Sequence, residues 1–234
     1  MIEIARLLAK KKVVNFVILN NHRNFVENRI IMSETLIARQ PRKKTALPRH
    51  IISLEAYFAA EEKSLHKNEY HNGIVIKMAG ALLSHNRLAQ KAAKLIDNFI
   101  EDNDFNFIVS NSDTKIRIDY YDKVVYPDAV VICQEVAYFR NRKDTIINPI
   151  LIVEVLSDST KNYDKTTKFE MYRTLPSFIE YVLVHQDRKR VSVWTKQSDE
   201  TWHLKDYTDD DSAILHHIEN CPLSLERLYK NLDI

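Results

Sequence analysis

"NPILIVEVLSDSTKNYDKTTKFEMY", residues 148–172, is the stretch on which the fold turns. From Ile150 to Leu156 it is apolar at every position but one, and a short unbroken apolar run suits a strand buried on both faces. The exception is Glu154. Alternation along a strand places Ile150, Ile152, Glu154 and Leu156 on one face, so the carboxylate stands alone among aliphatics. A buried charge without a partner costs several kcal/mol or more, which makes the compensating group the question to answer. The second half, with "DKTTKFEMYRTL", reads as a helix stopped by Pro176. At about 100° per residue, Asp164, Lys168, Phe169, Met171, Tyr172 and Leu175 share a broad face, with Lys168 in the middle of the apolar stripe. An inward lysine needs a snorkelling path or an anionic partner, and Asp164 one turn back supplies part of one.

Working outward, "KVVYPDAVVIC" is a second apolar strand with a single acid, Asp128, directly after Pro127. Proline cannot donate to a ladder, so it belongs at a strand start, an edge or a bulge, where a side chain can be re-aimed. Further upstream a helix is expected from Ile52 to Glu62, and Asn72-Gly73 marks a hairpin between two short strands. A second helix carries Leu88, Ala92, Leu95 and Phe99 on one face, with Ser84 as its expected cap. Strands follow in "FNFIVS" and "TKIRID", and after the central stretch in "FIEYVLV", "RVSVWTK" and "WHLKDYT", with a short helix in "LSLERLYKNL". This order predicts an α/β domain with one mixed central β-sheet flanked by helices.

Composition narrows the function. With 234 residues, 45% of them hydrophobic and 28% charged, the chain resembles one ordinary globular domain, and its net charge of +2 does not by itself indicate nucleic acid. Only Gly73 and Gly80 are present, so neither a GxGxxG loop nor a GxxxxGK[ST] loop can be written. HExxH, GxSxG and EF-hand patterns are absent too. Cys133 and Cys221 cannot form a zinc quartet or a disulfide framework, which fits a reducing cytoplasm. No apolar run approaches the ~20 residues that span a bilayer, so no membrane segment is expected. Residues 1–50, with the basic run "ARQPRKKTALPRH", read as a poorly packed arm ahead of a domain over residues 51–234; Met32 is an alternative start.

Two acids on core strands and an inward lysine on the next helix form the smallest set that could bind a hard divalent cation and promote attack by water. Mg²⁺ held by Asp128 and Glu154 would compensate both charges, with Lys168 stabilising charge on a phosphate. Two plainer readings stay open: Glu154 reaching water or a surface lysine, and Glu154, Lys168 and Asp164 as a buried structural network in a small-molecule-binding domain.

The ordered set "NEYHNGIVIKMAG", "HN", "YPDAVVI", "ILIVEVLSDST", "YDKTTKFEMY" and "IEYVLV" resembles the bacterial Uma-type family of restriction endonucleases, within the PD-(D/E)xK nuclease superfamily. The similarity runs from about Ile52 to Lys196 and implies a restriction-endonuclease-like fold. It also implies an Mg²⁺-dependent endonuclease acting on DNA, with Mn²⁺ as a substitute and no organic cofactor; cleavage of both strands by one active site per chain would favour a homodimer. In that pattern Asp128 and Glu154 are the metal acids and Val155 offers its backbone carbonyl. Leu156 stands where the superfamily usually has its lysine, whose role passes to Lys168. Glu69 matches a further acid, Asp164 and Ser157 look like supporting residues, and His85-Asn86 match a family pattern. Asp158 replaces a usual proline and Val182 a usual tryptophan. The alternative is a nuclease-fold protein without useful catalysis that binds DNA or a partner.

Overall fold

Pro127 cuts "KVVYPDAVVIC" into two strands that belong to different sheets. This is seen in the computed structural model of the chain, which describes residues 51–133, 135–157, 161–209 and 211–234. The expected N-terminal arm, the possible start at Met32 and the departure at Asp158 lie outside the described residues.

The first elements are α1 (Leu54–Glu61), β1 (Asn68–His71), β2 (Ile74–Lys77), α2 (Leu83–Asp102), β3 (Phe107–Asn111), β4 (Lys115–Ile118) and β5 (Lys123–Val125). Next come β6 (Ala129–Cys133), β7 (Thr145–Ile146), β8 (Pro149–Leu156), α3 (Lys161–Tyr163), a π-helical turn (Asp164–Lys168) and α4 (Phe169–Tyr172). The chain closes with β9 (Glu180–His185), β10 (Arg190–Lys196), β11 (Trp202–Thr208), β12 (Ser212–Leu215), β13 (Cys221–Ser224) and α5 (Leu225–Tyr229).

Among the described residues, one sheet has the order β11-β10-β9-β8-β6-β3 and a second the order β2-β1-β5-β4-β7; β12 and β13 form a ribbon. The expected single sheet is therefore divided. A residue without an N–H, followed by an acid that turns its side chain away, ends one ladder and lets the next begin. Both larger sheets are mixed, since β8 runs parallel to β9 and β4 parallel to β7 while their other pairs are antiparallel.

The six-stranded sheet carries a helix on each face, as expected. On one face Leu88, Ala92, Ile96 and Ile100 of α2 are buried with Val131, Val153, Val155 and Val184. The buried stripe is centred one position from the expected one, with Leu95 and Phe99 on its flank. On the other face Phe169, Met171, Tyr172 and Leu175 pack with Ile152, Leu156 and Tyr181. Each fully buried aliphatic or Phe side chain contributes about 1.5–3 kcal/mol, so β8, buried at all 8 positions, is the spine of the domain. Ile150 departs from strict alternation and packs on the α2 face, because a register shift opposite Val131 and Ile132 makes it the extra residue of a bulge.

The hairpin is as read. Asn72 (φ 49°) and Gly73 (φ 86°) both take positive φ between β1 and β2, the backbone that tight two-residue hairpins require. Ser53 caps α1 by accepting from Ala56 N at 3.1 Å. The expected cap of α2 is a correction: Ser84 lies inside the helix, which begins after Leu82, and its hydroxyl accepts from the Gln186 amide at 3.1 Å instead. No helix among the described residues is long and apolar enough to cross a membrane.

Candidate active site

The division at Pro127 places Asp128 between the sheets, at the mouth of β6. There its Oδ2 accepts the backbone N–H of Val155 from the neighbouring strand β8 at 2.7 Å. The antiparallel pairing Ala129↔Val153 brings this end of β6 alongside Glu154. Glu154 is 3% exposed. Its Oε1 accepts from the Lys168 ammonium at 2.9 Å and from the Tyr172 hydroxyl at 2.9 Å. Lys168 also lies 3.3 Å from Asp164 Oδ1, and both are buried. The partner that the sequence demanded for Glu154 is thus the lysine of the following helical segment, as the inward face implied.

The five-stranded sheet supplies the remaining acid. Glu69 on β1 is buried and accepts from the Tyr126 N–H at 3.4 Å, one residue before Pro127. Its other oxygen is 2.8 Å from His71 Nε2. Opposite Asp128, His85 Nε2 approaches Oδ2 at 3.4 Å, and the other ring nitrogen is buried without a hydrogen-bond partner among the described residues. Asn86 is exposed on the first turn of α2, and the Ser157 carbonyl accepts from Lys161 N at 2.9 Å.

Negative charge is in excess. Burial raises the Glu154 carboxyl well above its ordinary range; Lys168 opposes this, while Asp128 and Asp164 reinforce it. Asp128 is raised by burial too, against the pull of His85 and of the Val155 N–H. Burial alone would lower Lys168, but Glu154, Asp164 and Glu69 override it and hold the ammonium firmly protonated. Glu69 is the exception among the acids: burial would raise it, yet the His71 hydrogen bond and the Lys168 charge bring it below the usual range. One lysine shared by several desolvated carboxylates leaves a potential that favours a further cation.

The residues fit a hard divalent ion in donor chemistry. Among the described residues no three His, Cys, Asp or Glu side chains converge as a ready ligand set. Mg²⁺, however, is commonly bound through one or two carboxylates and keeps several waters. Asp128 and Glu154, with the main-chain carbonyl of Val155, match that kind of oxygen set.

Three tyrosines were not foreseen as parts of the site. In the sequence Tyr172 stands out only as a stripe residue, although a phenol four positions after an inward lysine is a natural second donor to the same acid. Tyr181 OH donates to the Asp164 carbonyl at 3.0 Å and fixes the helical turn that carries Lys168. Tyr163 OH is buried without a hydrogen-bond partner among the described residues. Burial and the nearby Glu69 push its hydroxyl up to about 12, so it stays a donor beside the acids.

With this geometry in view, residues 54–226 match the family model of Uma2, described as "Putative restriction endonuclease". The chain belongs to the Uma2 family. It is similar to "Uncharacterized protein sll1609" of Synechocystis sp., 35% identical over 70% of this chain and 92% of that protein. A second relative from the same organism, "Uncharacterized protein slr1290", is 31% identical over 77% of this chain and 93% of its own length. A crystal structure from Anabaena variabilis, described as a putative nuclease belonging to DUF820, superposes with a TM-score of 0.58. It covers 76% of this chain and 97% of that one at 16% identity, which shows that the Uma2 chain shares the restriction-endonuclease-like fold.

Proposed function

We propose that this Uma2 protein is a metal-dependent endonuclease that hydrolyses DNA phosphodiester bonds. Asp128, Glu154 and the Val155 carbonyl would hold Mg²⁺, with Mn²⁺ able to substitute and Glu69 assisting. The observation that carries the reading is the buried contact of Glu154 with Lys168 beside Asp128, two strands and a helix converging on one excess of negative charge. A bound ion supplies polarisation of a phosphoryl oxygen and a more acidic water. The chain's own groups do the rest. Lys168 offers a desolvated, permanently charged donor to the negative charge that develops on the phosphate. Asp164 holds that ammonium from the second side, Tyr181 anchors Asp164, and His85 steadies Asp128. Ser157 supports the start of α3 through its carbonyl. Leu156, buried against Phe169 and Tyr172, keeps the usual lysine position apolar, so Lys168 acts in its place.

A homodimer suits the cutting of both strands by one site per chain. Cys133 and Cys221 as free thiols agree with action in the cytoplasm.

Incubating supercoiled plasmid and a single-stranded oligonucleotide with Mg²⁺, Mn²⁺ or EDTA tests the proposal against Glu154→Ala and Asp128→Asn. Metal-dependent cutting that both substitutions abolish is the expected result. A folded wild type that fails to cut with either metal, yet binds DNA in a salt-dependent, metal-indifferent way, would replace it with the reading of a catalytically silent binding module.

A further inference from the structure

The parallel strands β8 and β9 end side by side, Leu156 paired with His185, and beyond them opens a pocket of about 230 Å³. Lys161, Lys165 and Arg188 line it, together with Leu156, His185 and Gln186. One carboxylate, Asp187, shares the lining, and it is engaged by the Arg188 guanidinium at 2.7 Å. The local field is positive. Burial and then Lys165, Arg190 and Arg188 lower His185, with only Asp187 opposing.

The pocket is also tied to the acids. Leu156 lies two residues past Glu154, about 7 Å along a strand. Lys165 directly follows Asp164. Gln186 donates to Ser84, the neighbour of His85, and its Oε1 is buried without a hydrogen-bond partner among the described residues. A volume below the ~300–1,000 Å³ of ordinary small-molecule sites, with more cationic than anionic side chains in its lining, suits one anionic group and not a whole organic cofactor.

We propose that this pocket is a subsite for a backbone phosphate of DNA adjacent to the scissile one, with Lys165 and Arg188 as its cationic contacts. The scissile position rests on the nuclease reading; the phosphate contact does not. Two cations held beside the acid cluster would set the register of the strand, so that the next phosphate along falls at Asp128 and Glu154.

The test is anisotropy of a labelled DNA duplex titrated with protein in EDTA over a salt series. Wild type is compared with Lys165→Gln, Arg188→Gln, the double variant and a control, Lys94→Gln, at an exposed position of α2. The log–log salt slope is expected to shrink by about 0.9 for each phosphate that the variant no longer neutralises, and to stay unchanged in the control. Lys165→Arg keeps the charge and is expected to keep the slope; thermal melts confirm that each variant is folded. A folded double variant with the wild-type slope, or a wild type that does not bind DNA in EDTA, overturns the subsite. A reduced slope in a protein whose wild type cuts nothing with Mg²⁺ or Mn²⁺ upholds the subsite and sinks the nuclease reading alone.

Discussion

The ammonium of Lys168 meets Glu154 at 2.9 Å from a separate helical segment, and both groups are almost wholly withdrawn from solvent. Breaking one side of such a pair leaves a charge that nothing compensates, whereas replacing both sides with apolar groups often costs little. Lys168→Met is therefore expected to lose about 3–5 kcal/mol of stability, and the double change Lys168→Met with Glu154→Leu to recover most of it. Urea unfolding of the four proteins in the cycle measures this; additive losses would show that the two residues do not depend on each other.

Tyr172 donates the second hydrogen bond to the same carboxylate oxygen. Tyr172→Phe removes that donor and leaves the ring packing against Phe178 and Tyr181 in place. The expected loss is about 1–3 kcal/mol, read by chemical denaturation. A change near zero would mean that Lys168 alone satisfies Glu154.

Metal binding gives a readout that does not depend on cleavage. A ligand that binds only the folded state stabilises it by about 2.7 kcal/mol at a hundredfold excess over its Kd. Saturating Mg²⁺ or Mn²⁺ is expected to raise the Tm of wild type and to leave that of Asp128→Asn unmoved. Equal shifts in both would place the ion elsewhere.

His185 carries the clearest acid-side prediction. Burial first, and Lys165 and Arg190 next, bring its ring down to about 4 from an ordinary 6.5. The unfolded chain therefore binds more protons between those values, and stability rises with pH across the window. This contribution is fully present above about pH 6.5 and fades as the pH falls toward 4. His185→Gln is expected to flatten the stability profile between pH 6.5 and 4; an unchanged slope would assign the acid sensitivity to other groups.

At the hairpin, Gly73 has φ +86°, and an added Cβ would clash with Ile51 Cγ2. Gly73→Ala is expected to cost about 1–2 kcal/mol from the left-handed backbone alone, and to lower the Tm accordingly. Because β1 carries Glu69, a loss of cleavage larger than the loss of stability would show that this turn also positions the acid.

The parts of this molecule governed by local pattern could be read in advance. Glu154 betrayed itself by being the one charge in an apolar run, and Lys168 by facing the wrong way on an amphipathic helix. Asn72-Gly73 announced its turn by the backbone it permits. The division into two sheets was less visible, because the residues on either side of Pro127 are equally apolar and only long-range pairing decides which ladder each joins. Ser84 has the chemistry of a cap, but the helix starts before it and Gln186, 102 residues away, claims its hydroxyl. The ribbon of β12 and β13 escaped notice too. Its inward Ala213, Leu215, Cys221 and Leu223 are separated by a loop whose main-chain N–H groups at His216 and His217 are held by the buried Glu180, an interaction no local pattern records.

The π-helical turn from Asp164 to Lys168 accommodates one residue more than a regular helix would use over the same rise. That surplus residue sets the angle at which Lys168 leaves the helix. Deleting a single position inside the turn would rotate everything on one side of it by about 100° and carry the ammonium off the acids without altering any residue of the site. The proposed catalytic arrangement is thus written partly in the length of the chain. A variant of this chain that keeps the acids and the lysine but lacks one residue between Asp164 and Lys168 is expected to lose it.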